Sequence, residues 1–346
     1  MIKNYTFKYG STHVDIPVDT DDVIGVLKGN VKPPTEDIRK TLFDSLNHPI
    51  DSEPLVDRVR KAGSICLIVS DITRFWMRQD KVVPHLVDYL VSVCGKAYRD
   101  ITILIACGTH IGGDEEELRT VVTSGVYDKV KVVNHVADDT ENLVYMGTTS
   151  FQTPVYLNRI AVEADLVITL GAGAHHVMAG FGGGRKSILP GIAGTETIKH
   201  NHAYSLSPDA FITNPKIGNG VLEDNPLNLD MLEAAAMLPN LFVITMVMNA
   251  EMELFTIFSG HYYTSWKRAC DEVNAIYRVP IQEKADVIIA SCGGYPKDMS
   301  LYQGTKTVDN LISGLKKGGK LILFLEGRDG GGSPDYFDWI GPLVKG

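Results

Sequence analysis

The 346-residue chain contains no run of ~18 consecutive apolar residues, so no segment reads as a membrane-spanning helix. Its start, MIKNYTFKYG, lacks an apolar stretch between a basic beginning and a small-residue cleavage site, which argues against a secretory signal. No CxxC pair occurs. The five cysteines (Cys66, Cys94, Cys107, Cys270 and Cys292) are odd in number and widely spaced, which excludes a disulfide framework and a cysteine zinc cage. They predict reduced thiols in a cytoplasmic protein. Positive charge is scarce: the net charge of −9 excludes nucleic acid or an anionic membrane as the main partner. There is no internal repeat and no low-complexity tract. What remains is 44% hydrophobic and 22% charged, the balance of a globular chain with a large core rather than a disordered one. At roughly 150 residues per domain the length predicts two domains.

Short apolar runs alternate with helical patterns. Tyr5–Tyr9 and His13–Val18 read as two strands joined at Gly10-Ser11, and Glu36 to Leu46 as a helix. Ile65–Ser70 (ICLIVS) precedes a helix near Pro84–Cys94, and Ile101–Ala106 (ITILIA) precedes one at Glu115–Thr123. Val130–Asn134, Leu166–Leu170 and Leu241–Met248 are further strands. Runs without polar alternation suit strands buried on both faces, and strands alternating with helices suit a parallel sheet. The expected fold is therefore α/β, two domains with mostly parallel layered sheets. A second α/β unit starts near Pro280, with strands at Asp286–Ala290 and Lys320–Leu325 around a helix at Leu301–Leu315. The helical segment Ser265–Tyr277 is the expected hinge. The boundary is placed between residues 1–273 and 274–346. The second unit is small for an independent core of ~65 residues, which suggests truncation.

Ligands in open α/β sheets bind beyond the carboxyl ends of strands. After ICLIVS comes Asp71-Ile-Thr-Arg74, after ITILIA comes Cys107-Gly-Thr-His110, and after LVITL comes Gly171-Ala-Gly-Ala-His175-His176. Three strands thus deliver an acid, a guanidinium and several imidazoles to one sheet edge. Each alone also fits an ordinary strand-end turn. The strongest local signal runs from His176 to Gly191 (HVMAGFGGGRKSILPG). Gly180, Gly182, Gly183 and Gly184 permit close backbone approach to a ligand, and successive N–H groups there suit a phosphate, with Arg185 and Lys186 adding charge. Arg185 occupies the position where both the Walker A loop and the dinucleotide fingerprint need glycine, so ATP and NAD are poor candidates.

In the helical segment after Thr195, Ile198 and His202 share a face while Glu196 and His200 share another. An inward His202 is either a hydrogen-bonding core residue or a metal ligand. Further on, Gln303 and Lys306 lie three apart near a helix start, suited to a carboxylate or phosphate or, equally, to a solvated face.

Together these segments resemble the nickel-dependent lactate racemase family. The matching pieces are Asp71-x-x-Arg74, Gly108-Thr109-His110, His176-x-x-Ala179-Gly180-Phe181 through Lys186, Pro190-Gly191, Asn201-His202 and Gln303-x-x-Lys306. They span most of the chain, from Asp71 to about Gly332. The resemblance implies an active site in the interdomain cleft and racemisation or epimerisation of a 2-hydroxy carboxylic acid. It implies the nickel pincer nucleotide, a pyridinium-3-thioamide-5-thiocarboxylic acid mononucleotide with nickel, tethered covalently to Lys186 near Gly182, Gly183 and Gly184. His202 would complete the nickel coordination. His110 and His176 would be the acid and base, with Asp71 and Arg74 orienting them and contacting cofactor. Arg74, Tyr302, Gln303 and Lys306 would hold the substrate. The implied partners are the small 2-hydroxy acid and the cofactor biosynthesis proteins.

Three departures from the family pattern flank this site: Phe75-Trp76 and His175 where proline is common, and Ile111-Gly112-Gly113 where arginine is common. They imply a substrate that differs in its side chain more than in its chemistry. Two other functions stay open on the residues alone. One is a zinc hydrolase built on His110, His176 and His202. The other is a non-catalytic nucleotide-binding protein using only the glycine loop.

Overall fold

The computed structural model describes residues 1–208, 212–295 and 297–332. It divides the chain into two compact units, one of residues 29–278 and one that joins residues 1–28 to residues 279 onward.

The chain opens on an antiparallel hairpin, β1 (Ile2–Tyr9) and β2 (Thr12–Asp19), in register from Ile2↔Asp19 to Tyr9↔Thr12. Gly10, with φ +52°, makes the turn.

The larger unit begins with α1 (Ile38–Asn47), capped by the Asp37 carboxylate, and α2 (Leu55–Lys61). Then follow β3 (Ile65–Ser70), α3 (Val83–Asp88), β4 (Ile101–Ala106), α4 (Glu115–Val122) and β5 (Lys131–Asn134). A small hairpin, β6 (Leu143–Thr148) and β7 (Pro154–Asn158), precedes β8 (Leu166–Gly173). Two-residue strands β9 (His175–His176) and β10 (Gly180–Phe181) pair with each other. The unit closes with α5 (Thr195–Ala203), α6 (Pro226–Ala236), β11 (Leu241–Met248), β12 (Leu254–Gly260) and α7 (Thr264–Tyr277).

Six of these strands form one sheet in the order β12-β11-β8-β3-β4-β5. Every pairing is parallel except that of the edge strand β12. All eight residues of β8 and of β11 are buried, as the unbroken apolar runs predict for strands covered on both faces. One apolar layer, with Leu42, Leu67, Leu86 and Phe242, lies on one face, and another, with Leu157, Ile188, Leu227 and Trp266, lies on the other. The chain winds outward from β3 through β4 to β5 and then returns to place β8 on the opposite side of β3. The strand order therefore reverses at β3, and the crevice beyond the carboxyl ends of β3 and β8 is the expected ligand position.

The last segment supplies β13 (Ala285–Ser291), α8 (Leu301–Leu311) and β14 (Leu315–Phe324), a parallel pair with a helical crossover. The N-terminal hairpin belongs with it. The Gly10 N–H donates to the buried Asp298 carboxylate (2.7 Å), the Ser291 hydroxyl donates to the Lys8 carbonyl, and the Phe7 and Phe324 rings lie 5.3 Å apart.

Two sequence-based expectations change. The small unit is not one continuous stretch from residue 274: residues 1–28 group with residues 279 onward, tied to them through Gly10, Lys8 and Phe7. The segment 265–277 is no hinge. As part of α7 it buries Trp266, Ala269, Cys270, Val273 and Ile276 in the larger unit, and the Trp266 indole N–H donates to the Gly182 carbonyl (2.8 Å).

Candidate active site

Beyond β3 the chain turns through Asp71–Arg74. Asp71 is buried, and one carboxylate oxygen stands 2.5 Å from Nδ1 of His110 while the other accepts from the Thr73 hydroxyl (2.6 Å). Arg74 donates to the same hydroxyl (2.9 Å). Burial pushes the Asp71 carboxyl up, but the hydrogen bonds from His110 and Thr73 and the charges of His110 and Arg74 outweigh it, leaving the group below its ordinary range. An ionised Asp71 accepts the Nδ1–H of His110, which in the neutral imidazole leaves the lone pair on Nε2. The loop that carries His110 is fixed at both ends. The Gly108 N–H, at φ +55°, donates to the Gly191 carbonyl (2.9 Å), and the Asn134 amide donates to the Gly113 carbonyl (2.8 Å).

β8 continues three residues beyond its expected end, through Gly171-Ala172-Gly173, and the β9–β10 hairpin follows directly. His176 Nδ1 accepts two main-chain N–H groups of its own turn, from Met178 (3.2 Å) and Ala179 (3.1 Å). Its Nε2 lies 3.0 Å from the Lys186 amine. Burial is the largest influence on both groups. It pushes Lys186 down to about 7, with the Arg185 and Arg74 cations adding to the effect. It holds His176 far below the ordinary imidazole range, with Lys186, Arg185, Arg74 and His202 contributing.

Arg185 corrects an expectation. Its guanidinium does not face a phosphate. It is fully buried, donating to Asn228 Oδ1 (2.9 Å) and to the carbonyls of Phe181 (3.0 Å) and Ala179 (2.6 Å), and it stacks 3.9 Å over the Trp266 ring. Packing also accounts for the glycines. A Cβ on Gly183 (φ +72°) would meet the Ala172 carbonyl at 3.0 Å, and one on Gly184 (φ +54°) would meet Trp266 at 2.6 Å. The loop is thus a tightly seated structure that fixes Lys186, rather than an open cradle.

α5 behaves as its pattern predicts: Ile198 is buried, His202 is partly buried, and Glu196 and His200 face solvent. Burial and the Lys186 charge lower the His202 pKa against the raising influence of the Ile198 carbonyl, yet its buried Nδ1 makes no well-formed hydrogen bond. The neighbouring Asn201 donates to Asp230 (2.8 Å) and to the Leu227 carbonyl (3.1 Å). Asp230, fully buried, also accepts from Thr149 (2.6 Å) and Thr153 (2.9 Å), tying α5 to α6 and to the turn between β6 and β7.

The larger unit therefore gathers Asp71, Arg74, His110, His176, Lys186 and His202 on the loops beyond its sheet and on α5. The Arg74 charge acts on both His176 and Lys186, and the Lys186 charge acts on His202. Gln303 and Lys306 lie in the other unit, on α8; the Lys306 amine donates to Gln303 Oε1 (2.7 Å) and lies 5.5 Å from the Tyr302 ring. Ser300 caps that helix. Among the described residues no group of three or more His, Cys, Asp or Glu side chains is arranged to hold a metal, so His110, His176 and His202 do not form the triad that a zinc hydrolase needs. Of the residues flanking the site, His175 bonds Asn274 (2.9 Å) and lies against Phe181, and Trp76 packs on the core, whereas Ile111 is exposed.

Asn228, Trp266 and Asp230 carry no local motif. They act on the site across 43, 84 and 29 residues of sequence respectively.

These features define a lysine- and histidine-bearing site at the reversal point of a doubly wound sheet. Comparison with known proteins places the chain in a family. The profile of the lactate racemase N-terminal domain matches residues 9–213, and that of the lactate racemase C-terminal domain matches residues 281–343. The chain is 32% identical over 342 residues to the lactate racemase of Thermoanaerobacterium thermosaccharolyticum, covering 97% of this chain and 78% of that protein. It is 34% identical over 299 residues to the lactate racemase of Lactiplantibacillus plantarum, covering 86% and 68%. The lactate racemase apoprotein structure from T. thermosaccharolyticum superposes with a TM-score of 0.88 at 30% identity, covering 98% of this chain and 78% of that one. A Thermotoga maritima protein shares the fold, with a TM-score of 0.63 at 23% identity, over 85% of this chain and 72% of that one. The chain belongs to the lactate racemase family, and it is an isomerase.

Proposed function

We propose that this protein inverts the stereocentre of a 2-hydroxy carboxylic acid, lactate or a larger analogue, using a nickel pincer nucleotide anchored on Lys186. The observation that carries this reading is the contact between Lys186 Nζ and His176 Nε2: the anchor amine and an acid–base imidazole share one partly buried place. The chemistry of the residues suits the group. Lys186 is poised as a nucleophilic amine, and the partly buried His202 ring, on which the Lys186 charge acts, is fit to donate to a borderline metal.

When bound, the cofactor supplies a reversible hydride acceptor, which avoids the poorly stabilised carbanion of a 2-hydroxy carboxylate. The protein residues do the rest. His110, with Nδ1 committed to Asp71, offers Nε2 as a base for the substrate hydroxyl. His176 serves the hydroxyl of the opposite enantiomer. Arg74 supplies positive charge for the substrate carboxylate. The buried Arg185 keeps the loop of Lys186 in one conformation.

The test is production together with the cofactor biosynthesis proteins, followed by intact mass, nickel content and chiral assay against a panel of 2-hydroxy acids. A covalent adduct on Lys186, nickel and interconversion of one acid support the reading. An adduct-free protein from that co-production, or loaded enzyme in which His110→Ala and His176→Ala both retain full activity, overturns it.

A further inference from the structure

The two ring nitrogens of His176 have different partners, and together they fix where its proton sits. Nδ1 receives the main-chain N–H groups of Met178 and Ala179, so it must carry the lone pair. In a neutral imidazole the proton is then on Nε2, the nitrogen 3.0 Å from Lys186. An N–H pointing at Lys186 needs an acceptor, and only the uncharged amine has one. The reverse arrangement, an ammonium donating to Nε2, would put a proton on Nδ1 against two N–H donors. The surroundings favour the neutral pair: Arg185 and Arg74 act on both groups, and His202 adds to the effect on His176.

We propose that, in the chain awaiting its cofactor, His176 is the hydrogen-bond donor that holds Lys186 as a free amine for attachment, and that attachment in turn releases the Nε2–H edge of His176 to donate a hydrogen bond to substrate. This rests on the reading of Lys186 as the anchor. In forming the thioamide, the amine attacks the carbon of a ring thiocarboxylic acid. The C–N bond forms and the C–O bond breaks. The oxygen leaves as water with one proton from the amine and one from the acid, and nothing is oxidised or reduced. The amine lone pair is consumed, so Nε2 loses its partner. One N–H thereby serves twice, first as donor to the nucleophile and then as donor to substrate.

The experiment uses the full chain made without cofactor biosynthesis proteins. Two-bond 1H–15N correlation on histidine-labelled protein reads the His176 tautomer, expected with the proton on Nε2. Competitive acetylation with acetic anhydride from pH 6 to 10, read by peptide mass, gives the free-amine profile of Lys186 against exposed Lys199. Lys186 is expected to titrate near neutrality. His176→Ala is expected to leave about ten-fold less free amine at pH 7, and His176→Gln, which keeps an N–H donor, to recover most of it. A proton on Nδ1, or a wild-type Lys186 profile that superposes on that of Lys199, overturns the proposal. The underlying reading is judged separately by the mass of co-produced protein. An adduct on Lys186 with an ordinary lysine profile sinks only the role of His176, whereas no adduct removes the anchor itself.

Discussion

Asp71 holds His110 through Nδ1 at 2.5 Å, with Thr73 bracing the other carboxylate oxygen. A buried acid that fixes one imidazole tautomer is the arrangement by which hydrolases ready a histidine base. The same residue pair joins the ends of two neighbouring strands, β3 and β4, so the sheet register sets the contact.

Asp71→Asn keeps the shape of the side chain but removes the charge that selects Nδ1–H. The amide can present its own N–H to the ring and select the opposite tautomer. In cofactor-loaded enzyme kcat is expected to fall by a factor on the order of 100 or more, with KM changed little. Steady-state kinetics in both directions check this. An unchanged kcat would remove Asp71 from the site.

Arg185→Leu strips a fully buried guanidinium from three acceptors and from the Trp266 face. Asn228 Oδ1 and two carbonyls lose partners where water has poor access. The expected loss of stability is about 2–4 kcal/mol in urea unfolding. Arg185→Lys is expected to recover little of it, because an ammonium cannot reproduce a planar fork.

Burial lowers the folded-state pKa of His135, His176 and His202. The unfolded chain, with imidazoles near 6.5, therefore binds protons that the folded chain refuses. Above that pH these groups cost no stability. As pH falls below it, each removes up to about 1.4 kcal/mol per unit. Urea midpoints at pH 7.5 and 5.5 test this, with the lower value expected at pH 5.5. Equal midpoints would mean that these rings take up protons in the native state.

Lengths and burial of the central strands were legible because a strand covered on both faces must be apolar throughout. Ile65–Ser70, Ile101–Ala106 and Leu241–Met248 match the observed strands residue for residue. The inward turn of His202 followed from its four-residue spacing to Ile198. The lost ground lies where tertiary contacts decide. Gly171–Gly173 looked like the start of a loop, yet pairing with Thr245–Val247 keeps it in the sheet. Arg185 looked like a ligand for phosphate because its acceptors, Asn228 and two carbonyls, cannot be read from neighbouring letters. The place of the N-terminal hairpin was hidden for the same reason: its partners lie some 280 residues away.

The guanidinium of Arg185 sits beneath the surface between an indole face and neutral carbonyls, with no carboxylate among its described partners. Dissolved ions screen charges that they can approach, and they cannot approach this one. The part of the Lys186 activation that comes from burial and Arg185 should therefore be indifferent to ionic strength, and only the share of the exposed Arg74 should be screened by salt.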